Sequence, residues 1–96
     1  MKEYSPAERA LASAFAKSLI KRRKELGKTQ EEVALIAGID RNHYQLMEHA
    51  RADRKTNSPA NPQLNTLMGI SKALETTIPE LLADALAEYE RYDQGI

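Results

Sequence analysis

The sequence predicts an all-α domain of five helices, on three observations. Apolar residues recur at three- and four-residue spacing in the long segments, and no segment alternates as a strand would. A Ser-x-x-Glu or Thr-x-x-Glu box stands at predicted helix starts at Ser5, Thr29 and Thr77. Glycines fall where apolar periods break, at Gly27 and Gly38.

The first helix opens at Ser5-Pro6-Ala7-Glu8, where serine caps, proline suits the first helical position and Glu8 completes the box. Leu11, Phe15, Leu19, Arg22 and Leu26 share one face, and Gly27 is expected to stop the helix in a left-handed conformation. The second helix starts at Thr29 with Glu32 as box partner, turns Val33, Ile36 and Ala37 inward, and stops at Gly38. Asp40 is expected to cap the third helix, Arg41 to His49, with Tyr44 and Met47 inward. Residues 50–61 have no apolar period and read as a long loop. Asn61-Pro62 is expected to open the fourth helix, with Leu64, Leu67, Met68, Ile70, Ala73 and Leu74 as its apolar set. Thr77-Ile78-Pro79-Glu80 opens the fifth, whose stripe is Ile78, Leu81, Leu82, Ala85, Leu86, Tyr89 and Tyr92.

Ninety-six residues give one domain, 1–96, with one core. The chain has no cysteine, so a disulfide framework and a thiolate metal site are excluded. No run reaches the ~20 apolar residues of a membrane span, and the alanine-rich stretch 10–16 lacks the h-region of a signal peptide. A cytoplasmic, nucleoid-associated protein is expected. The formal net charge is zero, but residues 1–55 hold 12 Lys and Arg against 8 Asp and Glu, and residues 56–96 hold 2 against 6. Screening makes the local field matter more than this sum, so the basic front half remains suited to phosphate. His43 and His49 do not share a helix face, and Glu31 and Glu32 point apart. No metal site, cofactor or catalytic group is expected, and the chain is not read as an enzyme.

Two short helices locked by a glycine turn, at residues 29–49, are the sequence form of a helix-turn-helix. Around it stand Arg23, Gly27-Lys28-Thr29-Gln30-Glu31-Glu32-Val33-Ala34, Ala37-Gly38-Ile39-Asp40-Arg41, Glu48, Asn61-Pro62-Gln63-Leu64, Leu67, Ile70-Ser71-Lys72-Ala73-Leu74 and Pro79-Glu80-Leu81-Leu82. In this order and spacing, residues 15–86 resemble the lambda-repressor-like helix-turn-helix family, the Cro/repressor type of the xenobiotic-response-element class. Residues 87–96 extend the fifth helix and form a tail. The resemblance implies a phosphate-holding role for Gln30 and a structural ion pair between Arg23 and Glu48. The chain departs from the family pattern at Tyr44, at Ala50 and Glu75 where glycines are usual, and in the length of the loop 50–61. Ala50 is expected to let the third helix run on.

The third helix offers Arg41, Asn42, His43, Gln45 and Leu46 to DNA bases. Arginine forks onto guanine, Asn and Gln pair with adenine, and leucine meets a thymine methyl. Backbone phosphate contacts are expected from Gln30, Arg22, Lys28, His49, Arg51, Arg54 and Lys55, the loop charges having solvation as their alternative. The resulting expectation is a transcriptional regulator, a repressor, that binds near-palindromic double-stranded DNA as a homodimer. Leu86, Tyr89 and Tyr92 are the expected dimer surface, against the alternative that the tyrosines fold back onto the first helix. A second reading is an antitoxin-type module that also binds a protein toxin.

Overall fold

The computed structural model describes residues 3–94; the last two residues of the expected tail lie outside these. It contains five helices: α1 (Pro6–Glu25), α2 (Gln30–Ala37), α3 (Arg41–Glu48), α4 (Leu64–Ala73) and α5 (Ile78–Asp93). α1 and α5 pack along one another most extensively, α2 lies across α4, and α3 bridges α2 and α1. Phe15 and Leu19 of α1, Val33 and Ala34 of α2, Tyr44 and Met47 of α3, Leu67, Ile70 and Ala73 of α4, and Leu81 and Ala85 of α5 close one core. α2, α3 and α4, of 8, 8 and 10 residues, are too short to be stable alone in water, so this shared burial is what holds them.

Local chemistry sets the helix starts. Ser5 and Thr29 both form complete capping boxes, each hydroxyl accepting the amide three residues on while that residue's carboxylate accepts the cap amide. At Thr77 only half the box forms. The hydroxyl accepts the Glu80 amide, but the Glu80 carboxylate turns to the Thr76 hydroxyl at 3.0 Å. Asp40 occupies the N-cap position of α3, yet its side chain makes no capping hydrogen bond. α4 starts at Leu64 with Gln63 in the cap position, later than Asn61-Pro62 suggested.

One device ends the first four helices. The chain turns through a left-handed residue, and two backward amide bonds satisfy carbonyls of the last turn. Gly27 and Gly38 take this place after α1 and α2, with φ +67° and +76°. Ala50 and Glu75 take it after α3 and α4, with φ 62° and 53°. Ala50 therefore stops α3 instead of extending it, and the Arg51 amide returns to the Leu46 carbonyl at 2.9 Å. The geometry of a glycine cap is kept without the glycine.

Three apolar assignments change. Ile36 is 55% exposed, and Ala34 takes the inward position beside Val33. The cause is the closeness of α4: a Cβ on Gly69 would stand 2.6 Å from the Ala37 carbonyl oxygen. With the helix backbones this near, small residues line the α2–α4 contact and Ile36 is left on its flank. Leu64 and Met68 are likewise exposed, at 77% and 50%, because Leu67, Ile70, Ser71, Ala73 and Leu74 already fill the buried side of α4.

Candidate nucleic-acid interface

Tyr44, Met47 and Glu48 fix the inner side of α3. Arg41, Asn42, Gln45, Leu46 and His49, spaced three and four apart, consequently share the outer side. Arg41, Asn42 and His49 are exposed, and Gln45 and Leu46 are half-buried. His43 is exposed too, at the edge of this face three residues before Leu46.

A three-helix polar node holds that face. Arg23 of α1 donates from Nε to Glu48 Oε2 at 2.7 Å and from Nη2 to Oε1 at 3.0 Å. Its Nη1 reaches the Lys28 carbonyl at 3.1 Å. Gln30, at the start of α2, donates from Nε2 to Glu48 Oε1 at 2.9 Å. The bidentate guanidinium–carboxylate geometry resists rotation, so it fixes α3 against α1 and α2. Burial works against the Glu48 charge, but the Arg23 hydrogen bonds, with that of Gln30, outweigh it and hold the carboxyl below its usual range. Arg23 is raised, first by its hydrogen bond to Glu48. The Tyr44 hydroxyl is buried beside the pair, with no partner at hydrogen-bond geometry. Burial first, and then Glu48, push its proton release far above the ordinary phenol range.

Gln30 keeps a second amide hydrogen beyond the one given to Glu48. Two other residues expected on phosphate are engaged elsewhere. Arg22 donates to the Leu74 and Glu75 carbonyls at 2.8 and 2.9 Å. Lys28 Nζ donates to the Ala73 carbonyl at 2.6 Å and to Glu75 Oε2 at 3.3 Å. Both cations complement the negative end of α4, where unpaired carbonyls collect. Their sequence neighbours gave no sign of this, because the carbonyls lie more than forty residues away.

The segment after α3 is a folded hairpin instead of an irregular loop. Arg51 and Pro59 form an antiparallel bridge, with the Ala52 amide on the Ser58 carbonyl and the Ala60 amide on the Ala50 carbonyl. Asp53 Oδ1 accepts the Lys55 and Thr56 amides at 2.8 and 2.7 Å, closing the tip. The Thr56 amide first, then its hydroxyl, hold the Asp53 carboxyl below its usual range. Arg51 Nη2 donates to the Thr56 carbonyl at 3.0 Å. Arg54 and Lys55 stand exposed at the tip. The N-terminal segment braces the hairpin: Tyr4 OH donates to Ser58 Oγ at 3.2 Å and Arg9 Nη1 to the Asn57 carbonyl at 2.9 Å. Sequence reading did not single out Tyr4 or Arg9, since nothing local to them marks a contact with residues 57–58.

On the far side, Leu86 is 53% exposed and lines a small apolar cleft with Leu11, Phe15, Pro62, Leu67 and Leu82. Tyr92 lies on another flank of α5, in the groove shared with Ala10, Ala14 and Lys17 of α1. Tyr89 is half-buried. Of the three residues expected to form one dimer surface, Leu86 and Tyr92 thus line different clefts. Among the described residues, no helix is long and apolar enough to cross a membrane.

No protein-family model, curated relative or solved structure matches the chain.

Proposed function

We propose that this chain is a lambda-repressor-like helix-turn-helix protein that binds double-stranded DNA sequence-specifically and represses transcription. The observation that carries the reading is the outer face of α3. Arg41, Asn42, Gln45 and Leu46 stand together on a helix whose orientation is pinned through Glu48 to two other helices. Polar forks and one apolar side chain on a helix of fixed orientation suit the edges of bases in the major groove. Gln30, with its spare amide hydrogen at the N-terminus of α2, and the exposed tip residues Arg54 and Lys55 are the phosphate contacts. Arg22 and Lys28 are assigned to α4 and leave that set.

A single such face makes too few contacts for tight specific binding, so the active species is a homodimer reading a near-palindrome. The exposed Leu86, beside the apolar cleft it shares with Leu11, Leu67 and Leu82, supports a dimer surface on α5, with Tyr92 outside that cleft. Selection of bound duplexes from a random pool tests the whole reading. The expected result is an enriched near-palindrome with half-sites about one helical turn apart. Recovery of no enriched sequence overturns it.

A further inference from the structure

We propose that the groove between the hairpin and the first turns of α1 grips a backbone phosphate of duplex DNA beyond the end of α3. Arg9, His49, Ala50, Arg51, Asn57 and Pro59 line this groove, of about 290 Å³. Three of these side chains are basic types and none is a carboxylate. His49 is also the last member of the outer face of α3, so the groove continues that face onto the hairpin. The inference rests on the DNA-binding reading and adds Arg9, a residue of α1, to the interface.

Two features argue for a built anion site instead of chance surface charge. Each guanidinium is tethered by a neutral acceptor: Arg9 by the Asn57 carbonyl and Arg51 by the Thr56 carbonyl. Arg9 also lies over the Tyr4 ring, 5.7 Å from its centroid. A guanidinium has five N–H donors, so one tether orients it and leaves others for a ligand. Among the described residues, neither arginine comes within ion-pair distance of an acid: Asp53 feels the Arg51 charge but gives its hydrogen-bonding oxygens to the hairpin tip, and Glu3 shares only the neighbouring cavity with Arg9. Two fixed cations with unspent donors across a shallow groove match the charge and fork geometry of a phosphate diester. The hairpin is thereby a wing that extends the footprint along the DNA backbone and carries no base readout.

The test uses the full chain with Arg9→Gln and Arg51→Gln. Glutamine retains an N–H donor for the tethering carbonyl and removes the charge, and thermal melting checks that each variant folds. Binding is measured against salt on the selected duplex and on an unrelated one. Each variant is expected to weaken both complexes several-fold to a similar extent and to flatten the slope of log K against log salt by about 1. Neutralising one flanking phosphate as a methylphosphonate should weaken the wild type and leave Arg9→Gln unchanged. If the wild type binds and folded variants keep its affinity and salt slope, the groove proposal fails while the DNA reading stands. If the wild type binds no duplex, both fail.

Discussion

Glu48 and Tyr44 show how one turn of helix combines a satisfied charge with an unsatisfied hydroxyl. The Glu48 carboxylate is 8% exposed and accepts three hydrogen bonds from Arg23 and Gln30. Its folded pKa lies below its ordinary 4.5, so the folded state favours the ionised form. The stability it contributes is then present above that ordinary value and lost as pH falls through the folded one. Melting temperature measured from pH 7 down to pH 3 should drop more steeply in the wild type than in Glu48→Gln. At neutral pH the variant should be less stable by about 3 kcal/mol, because Arg23 loses its buried counter-charge. Tyr44 makes the opposite case. Its hydroxyl is buried without a hydrogen-bond partner of good geometry, which costs about 1–3 kcal/mol. Tyr44→Phe keeps the ring and removes that cost, so denaturant unfolding should show an unchanged or higher stability. A loss above about 1 kcal/mol would mean that the hydroxyl is bonded to the Arg23–Glu48 pair after all.

Helix ends and helix crossings account for the agreements and the differences between sequence and structure. Ser5, Thr29, Gly27 and Gly38 were legible because a cap is chemistry between residues a few positions apart. Ala50 and Glu75 were not, since residues with a Cβ ordinarily avoid the left-handed region. Ile36, Leu64 and Met68 were read as inward because periodicity finds an apolar stripe without its width; how much of the stripe is covered depends on the neighbouring helix. On α3 the same periodicity locates an outer face, but it does not reveal that Arg22 and Lys28 serve α4. Two substitutions follow. Ala50→Gly relieves a strained φ and should stabilise by about 0.5–1 kcal/mol, the relief being partly offset by glycine's unfolded-state entropy. Gly69→Ala improves helix propensity by about 1 kcal/mol, yet the new Cβ meets the Ala37 carbonyl oxygen. Overpacking should win, giving a net loss of about 1–2 kcal/mol in thermal or urea unfolding.

At the scale of the molecule, the interactions that hold the hairpin join residues far apart in sequence. Tyr4 and Arg9 reach residues 57 and 58 across roughly half the chain, which is why no local pattern announced them. Charge follows the same division: the basic front half supplies the α3 face and hairpin, and the acidic back half supplies α4 and α5. In the proposed homodimer, this keeps the acidic surface away from the DNA and leaves the apolar residues of α4 and α5 for the contact between copies. Leu86→Lys should therefore shift sedimentation from dimer to monomer and weaken binding to a two-half-site duplex. It should change the melting temperature little, because Leu86 is about half exposed in the single chain.

The outer face of α3 has one more property. The side chains of Arg41, Asn42, Gln45, Leu46 and His49 form no hydrogen bond or ion pair among the described residues, while Tyr44, Met47 and Glu48 carry the attachment of the helix. The outward residues and the attaching residues are thus interleaved along α3 and its C-cap. A duplicated copy of the gene can change one outward residue at a time, at a stability cost within about 0.5 kcal/mol for an exposed position. On the proposed DNA-binding reading, new targets are then reachable through a series of folded intermediates, and divergence in what the protein binds need not wait for a compensating change in how it folds.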